Sequence, residues 1–173
     1  MSEALQKLEN IFSEETFTRK PLLNYTVKYF ADLSTIINDI NSNEDIKSAL
    51  DTANLQLQKN NNHISALYAS GFLNLKLQNY TDNTLDKLIG IFKNAKKWNI
   101  VEYIAQKILD EYYECDYALR YLASYYQISN KEAEALEILE RLIKFDVSNP
   151  ELPEKIAHTK ELAGDITSAV HYY

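Results

Sequence analysis

Apolar residues along this chain recur at helical spacing, and short polar turns interrupt them. The clearest stretch is Asp116 to Asp146, DYALRYLASYYQISNKEAEALEILERLIKFD. Leu119, Leu122, Ala123 and Tyr126 form one apolar stripe, and Ala135, Leu136, Leu139, Leu142 and Ile143 form a second. Ser129-Asn130 is the polar turn between them, so the stretch reads as a helical hairpin. Sliding it by about 34 residues lays the pattern onto itself. Forward, Leu122, Ala123, Asn130, Ala135 and Leu139 fall on Ile156, Ala157, Gly164, Ala169 and Tyr173. Backward, Leu119, Leu122, Tyr126 and Leu142 fall on Leu85, Leu88, Phe92 and Ile108. Apolar meets apolar, small meets small, and turn meets turn.

The rest of the chain fits the same scheme less regularly. Ser2 caps a first short helix to about Phe12, and Ser13 to Lys20 reads as a connector. Pro21 suits the first turn of a second helix to Ile40, with Leu23, Val27, Phe30, Leu33, Ile37 and Ile40 inward. Asn41-Ser42-Asn43 breaks that helix, and Ser42 with Asp45 caps the next. Further helices are expected near 44–59, 63–78, 82–96, 98–113, 116–128, 131–145, 150–163 and from 165 onward. Asn60-Asn61-Asn62 is a turn. Thr81 or Asp82, Ser129 with Glu132, Asn149 before Pro150, and Asp165 after Gly164 supply later caps. A second phase, with Gly71 and Tyr80 at the small and aromatic positions, conflicts with the first by half a repeat. The C-terminal phase survives two further steps and is preferred.

The expected fold is all-α: antiparallel helical hairpins stacked as an α-solenoid of about ten helices. Residues 1–43 form an N-terminal capping portion and 44–173 the repeats, as one continuous domain. Tyr173 falls where Leu139 sits, in mid-helix, and Ile166, Ala169, Val170 and Tyr173 make an apolar stripe without a polar cap. The sequence is therefore expected to continue in a longer protein.

Composition narrows the function. Three glycines and three prolines among 173 residues favour helices. A net charge of −7 argues against an extended phosphate-binding surface, so direct nucleic-acid binding is not expected. Cys115 is the sole cysteine, which excludes an internal disulfide and a cysteine zinc cluster. The start, MSEALQKLENIF, lacks a signal peptide's apolar core, and no run approaches the roughly 20 apolar residues that cross a bilayer. A cytoplasmic protein without membrane contact is expected.

Chemistry is sparse. His63, His158 and His171 are scattered, without metal-ligand spacing, and read as packing or solvated residues. Cys115 lies between Glu114 and Asp116, which raise a thiol pKa when a nucleophile needs it lowered. Glu14-Glu15, and the set Glu151, Glu154 and Glu161, read as solvated helix faces. No glycine-rich phosphate loop occurs. The expectation is a non-enzyme without cofactor or metal.

The stretch from Asp116 to Asp146 resembles a tetratricopeptide repeat, with Leu119, Leu122, Ala123, Tyr126, Ala135 and Leu139 at matching positions. Leu142 replaces a usual small residue, and Val147 stands where proline is common. The resemblance covers 82–173 well and 44–81 loosely. It implies a concave groove carrying Asp86 and Lys93, then Tyr117, Arg120, Ser124 and Gln127, then Glu151, Glu154 and His158. Tyrosine and arginine are common interface anchors, so these positions are candidates for contact with a peptide or domain. A chaperone-tail receptor is disfavoured: only Arg120 suits a carboxylate, and Glu151 would repel one.

The whole chain, from MSEALQKLENIFSEETFTRK through LAGDITSAVHYY, also resembles the helical N-terminal extension of large bacterial GreA-type transcription elongation factors. Neither their polymerase-channel coiled coil nor their FKBP-like domain is identifiable here. The resemblance implies a docking or regulatory domain whose partner is RNA polymerase or a transcription-associated protein. The alternative is a freestanding scaffold or assembly protein outside transcription.

Overall fold

Helix follows most of the apolar stripes among the described residues of this computed structural model (2–18, 20–145, 149–165 and 169–170), which contain no strand. Their helices are α1 Glu3–Thr18, α2 Val27–Asn38, α3 Asn43–Lys59, α4 Ile64–Lys76, α5 Thr84–Asn94, α6 Trp98–Glu111, α7 Asp116–Ile128, α8 Glu132–Phe145 and α9 Glu151–Leu162. The described residues are all-α, with successive helices packed against their neighbours in pairs. The chain divides into two compact units, Met1–Ile100 and Val101–Tyr173, with the boundary inside α6. The expected residues Ile166 and Tyr173 of a last helix lie outside the described residues.

Side-chain caps set several starts. The Ser2, Thr26 and Ser42 hydroxyls accept the backbone N–H of Leu5, Tyr29 and Asp45, each at 3.1 Å. Asn149 accepts the Glu151 N–H at 2.9 Å.

The front of the chain departs from expectation. The supposed connector after Phe12 is helical as far as Thr18, and the Thr16 and Thr18 hydroxyls donate to the Phe12 and Glu14 carbonyls at 2.8 Å. Pro21 does not open α2. It precedes a 3-10 turn, Leu22–Asn24, after which Tyr25 is extended and buried. Lys97 holds this segment by donating to the Leu23 and Tyr25 carbonyls at 2.9 and 2.6 Å. Leu23, expected inward, is consequently 74% exposed.

In the first unit α4 is the central helix. It touches α1, α2, α3 and α5, and is buried almost all round. Small residues make this possible: Ala66, Ala69, Ser70 and Gly71 let neighbours approach. A Cβ on Gly71 would lie 2.2 Å from Leu85 Cγ, and Leu85 is itself buried. Phe30 joins α4 to the aromatic cluster, with ring centroids 4.9 Å from Tyr68 and 5.6 Å from Phe92.

In the second unit α7 pairs with α8, and α8 with α9. Leu119, Leu122, Ala123 and Tyr126 are buried on α7, facing a layer that includes Ala135, Leu139 and Leu142. Leu136 and Ile143, counted in the same stripe, are half-buried at its edge. The Tyr126 hydroxyl accepts from Gln106 at 3.0 Å, which fastens α7 to α6 within this unit.

The repeat is visible in the backbone as well as in the stripes. Lys96, Asn130 and Gly164 all take positive φ (58°, 57° and 85°), and each is one repeat of about 34 residues from the next. At each, the following N–H reaches back to close the preceding helix: Lys97 to Phe92, Lys131 to Tyr126, and Asp165 to Lys160, at 2.8–2.9 Å. Gln78 (φ 58°) does the same after α4, with Asn79 donating to Asn74 at 2.9 Å.

Left-handed geometry costs about 1–2 kcal/mol for a residue with a Cβ, offset in part by glycine's greater chain entropy. Gln78→Gly and Lys96→Gly should therefore each stabilise by about 0.5–1 kcal/mol, with Asn130→Gly gaining less because asparagine tolerates this conformation. Gly71→Ala should destabilise by about 1–3 kcal/mol through overpacking against Leu85. Urea midpoints of the four variants test both signs.

Candidate functional site

The most elaborate polar arrangement among the described residues lies in the first unit, around Glu15. It comes from the last turn of α1, beyond the helix end expected near Phe12. Glu15 Oε2 lies 2.7 Å from His63 Nδ1, and Oε1 accepts the Ser65 hydroxyl at 2.8 Å. The Ser65 N–H straddles both oxygens at 3.1 and 3.2 Å, and the Tyr25 hydroxyl also donates to Oε1. Tyr29 bonds to the Ser65 hydroxyl, and since Ser65 donates onward to Glu15, Tyr29 is the donor. Glu15 is thus not on a solvated face: its side chain is 10% exposed and that of His63 2%.

The proton positions follow from the partners. His63 Nε2 lies 3.1 Å from the Phe12 carbonyl, which can only accept, so Nε2 carries a hydrogen. A separation of 2.7 Å between Nδ1 and a carboxylate oxygen requires a second hydrogen there. The Ala66 N–H, 3.1 Å from Nδ1, can be accepted only when that hydrogen leaves. Charged His63 therefore pairs with Glu15, and neutral His63 caps α4 instead. Burial pulls His63 toward neutrality, but the Glu15 hydrogen bond and charge, with the Phe12 carbonyl, hold its pKa above the usual value. Burial likewise raises Glu15, yet His63, Tyr25 and Ser65 outweigh it and hold the carboxyl below the ordinary range. Burial also pushes the Tyr29 phenol up to about 12, with the nearby Glu15 and Glu14 charges adding to it.

This set does not have the geometry of an acid/base or nucleophilic site. Ser65 donates to Glu15, not to His63, and both imidazole nitrogens are engaged. Beside it lies a cleft of about 630 Å³, with Lys20, Leu22, Gln56, Lys59, Asn60 and Ile91 in its lining. The Lys20 ammonium sits 4.9 and 4.3 Å from the Tyr25 and Tyr29 ring centroids. No group of three or more His, Cys, Asp or Glu among the described residues is placed to hold a metal ion. His63-Ile64-Ser65, two polar residues opening a helix, was the one local sign of this cluster.

The groove positions named from the sequence fall in both units. Asp86 and Lys93 lie on α5 in the first, both half-buried and both engaged with other groups. Tyr117, Arg120, Ser124 and Gln127 lie on α7 in the second, also half-buried. Arg120 Nε bonds Asp116 at 2.8 Å, and Gln127 reaches the Thr159 hydroxyl at 3.5 Å. Of the further groove positions, Glu151, Glu154 and His158 are exposed on α9. Cys115 is buried at the start of α7; burial raises its thiol pKa, and Asp116 adds to that. No helix among the described residues is long and apolar enough to cross a membrane.

This helical chain is similar in sequence to proteins whose names refer to GreA. No protein-family model matches it. Over 154 residues, 89% of the chain, it is 30% identical to the GreA-associated domains protein of Treponema pallidum (strain Nichols), covering 23% of that protein. Over 169 residues, 98% of the chain, it is 27% identical to transcription elongation factor GreA of Borreliella burgdorferi, covering 18% of it. The chain spans about a fifth of the length of the curated relatives it matches. A solved structure, MamA 41-end from Desulfovibrio magneticus RS-1, aligns over 99% of the chain and 92% of its own, at 14% identity and a TM-score of 0.38.

The Glu15–His63 pair makes stability depend on pH. His63 is raised above its ordinary 6.5, so its contribution is complete below that pH and lost as pH rises through the folded value. Glu15 is lowered from 4.5, so its contribution is complete above that pH and lost as pH falls through the folded value. Both are fully present between 4.5 and 6.5. His63→Gln should cost about 3–5 kcal/mol in that window, by leaving a buried carboxylate without its cation, and less at higher pH. Denaturant midpoints of both proteins against pH check this; a gap that stays constant into alkaline pH would show His63 uncharged in the folded state.

Proposed function

We propose that this chain is a non-enzymatic docking domain of a GreA-type transcription elongation factor, binding RNA polymerase or a transcription-associated protein. The observation that carries the reading is the pairing of a hairpin repeat with similarity to two GreA-named proteins over nearly the whole chain. Paired helices expose one face of each hairpin to a partner, and nothing in the Glu15 cluster is arranged to move a proton or form a covalent bond. Tyr117, Arg120, Ser124 and Gln127 on α7 are the proposed contact residues of the second unit. Asp86 and Lys93 are proposed as contacts of the first. Tyrosine and arginine supply large area and directed hydrogen bonds at low entropic cost, as hot spots require.

The test uses the full-length parent protein. Tyr117→Ala combined with Arg120→Ala should weaken retention of RNA polymerase on the immobilised factor by at least about 1–2 kcal/mol, with the helical circular dichroism unchanged. Lys144→Ala, at an exposed position on α8, should have little effect. Equal loss for both would place the contact on another surface.

A further inference from the structure

We infer that the cleft beside Glu15 and His63 is a docking site for an acidic peptide segment with an apolar anchor, a reading that rests on the docking function above. The cleft's volume of about 630 Å³ falls within the usual range of ligand sites. Its charge is unlike that of the chain. The protein carries −7 overall, yet the cleft is lined by Lys20, Lys59 and a single carboxylate, Glu15. That carboxylate is neutralised by His63, and its oxygens are taken by Tyr25 and Ser65. Lys20, resting over the Tyr25 and Tyr29 rings, and Lys59 supply the positive charge of the lining.

Two more ammonium groups stand behind the loops that frame the cleft. Lys87 Nζ donates to the Asn61 carbonyl at 2.7 Å, and Lys97 Nζ to those of Leu23 and Tyr25. Both keep their charge while they do so. Glu14 stands outside the cleft lining, in a smaller adjoining recess that shares Glu15, Lys20 and Tyr25 with it.

The remaining lining suits a peptide. Leu22, Ile64 and Ile91 give it an apolar part, and Gln56, Asn60 and Asn62 supply amide donors and acceptors. Phe17 and Leu23, adjacent in sequence to the lining residues Thr16 and Leu22, are 85% and 74% exposed. A basic segment would meet like charge. A long polyanion such as RNA would also meet the net negative charge of the rest of the chain, whereas a short acidic segment need touch only the cleft.

The experiment is fluorescence anisotropy on the 173-residue chain with two labelled octapeptides, one of glutamate, leucine and phenylalanine, the other with lysine replacing glutamate. A labelled single-stranded oligonucleotide is the third probe. The acidic peptide should bind and weaken with added salt, and the basic one should not bind. Lys20→Glu and Lys59→Glu should each reduce binding about tenfold or more, Lys59→Gln by less, and the distant Lys144→Glu hardly at all. Lys59→Gln keeps the test valid if a charge reversal unfolds the protein.

Equal binding of both peptides, binding undiminished by the Lys20 and Lys59 variants, or tighter binding of the oligonucleotide would overturn the proposal. If the acidic peptide fails while Tyr117→Ala with Arg120→Ala still lowers polymerase retention, the cleft inference falls and the docking function stands. If the peptide binds as stated but the parent retains no polymerase, the assigned partner falls and the cleft stands.

Discussion

Removing a carboxylate from water costs several kcal/mol unless cations and hydrogen-bond donors replace the lost hydration. At Glu15 the replacements come from three separate places: Tyr25 after the 3-10 turn, His63 before α4, and Ser65 inside it. Apolar helix faces can slide past one another with little change in buried area. A carboxylate with four directed partners cannot, so the position of α1 against the start of α4 follows from it. Tyr29 extends the constraint to α2 through Ser65. The aromatic cluster of Tyr25, Phe30, Tyr68 and Phe92 then packs around a frame that polar geometry has set.

Lysine does much of the remaining tying in the first unit. Lys76 donates to the Ile37 carbonyl at 2.8 Å and also to that of Ile40, closing the end of α2 from a helix in contact with it. Lys87 and Lys97 serve loops in the same way. An ammonium on a long stem has three rotatable donors and so collects carbonyls that differ in direction, which a planar guanidinium does less well. With only Arg19, Arg120 and Arg141 in the chain, the lysines carry this role.

The helices of the second unit were legible because their information is local. Leu119, Leu122, Ala123 and Tyr126 declare a buried face within a few turns, and Asn130 and Gly164 declare left-handed helix ends by residue type. Lys96 did not, since lysine carries no such preference. The Glu15 cluster was illegible for a different reason. Its partners lie far along the chain at His63 and Ser65, and the run EETFTRK looks like any solvent-facing stretch. The extension of α1 is illegible for the same reason. Its last turn is held by contacts with Gln56 and His63 that no periodicity in α1 reveals. Leu23 misled in the opposite sense, because an apolar side chain before a helix says nothing about a lysine that will hold its carbonyl.

Cys115, buried at the junction between α6 and α7, gives the second unit an internal clock. As the sole thiol in the chain, it offers a modifying reagent a single target, and that target is covered in the closed state. Its raised pKa slows reaction further, because only the thiolate attacks. Alkylation must therefore wait for the start of α7 to lift away, and its rate under native conditions counts those openings. Labelling with and without a bound partner would then report how far occupancy of α7 restrains the breathing of this unit, with no probe introduced.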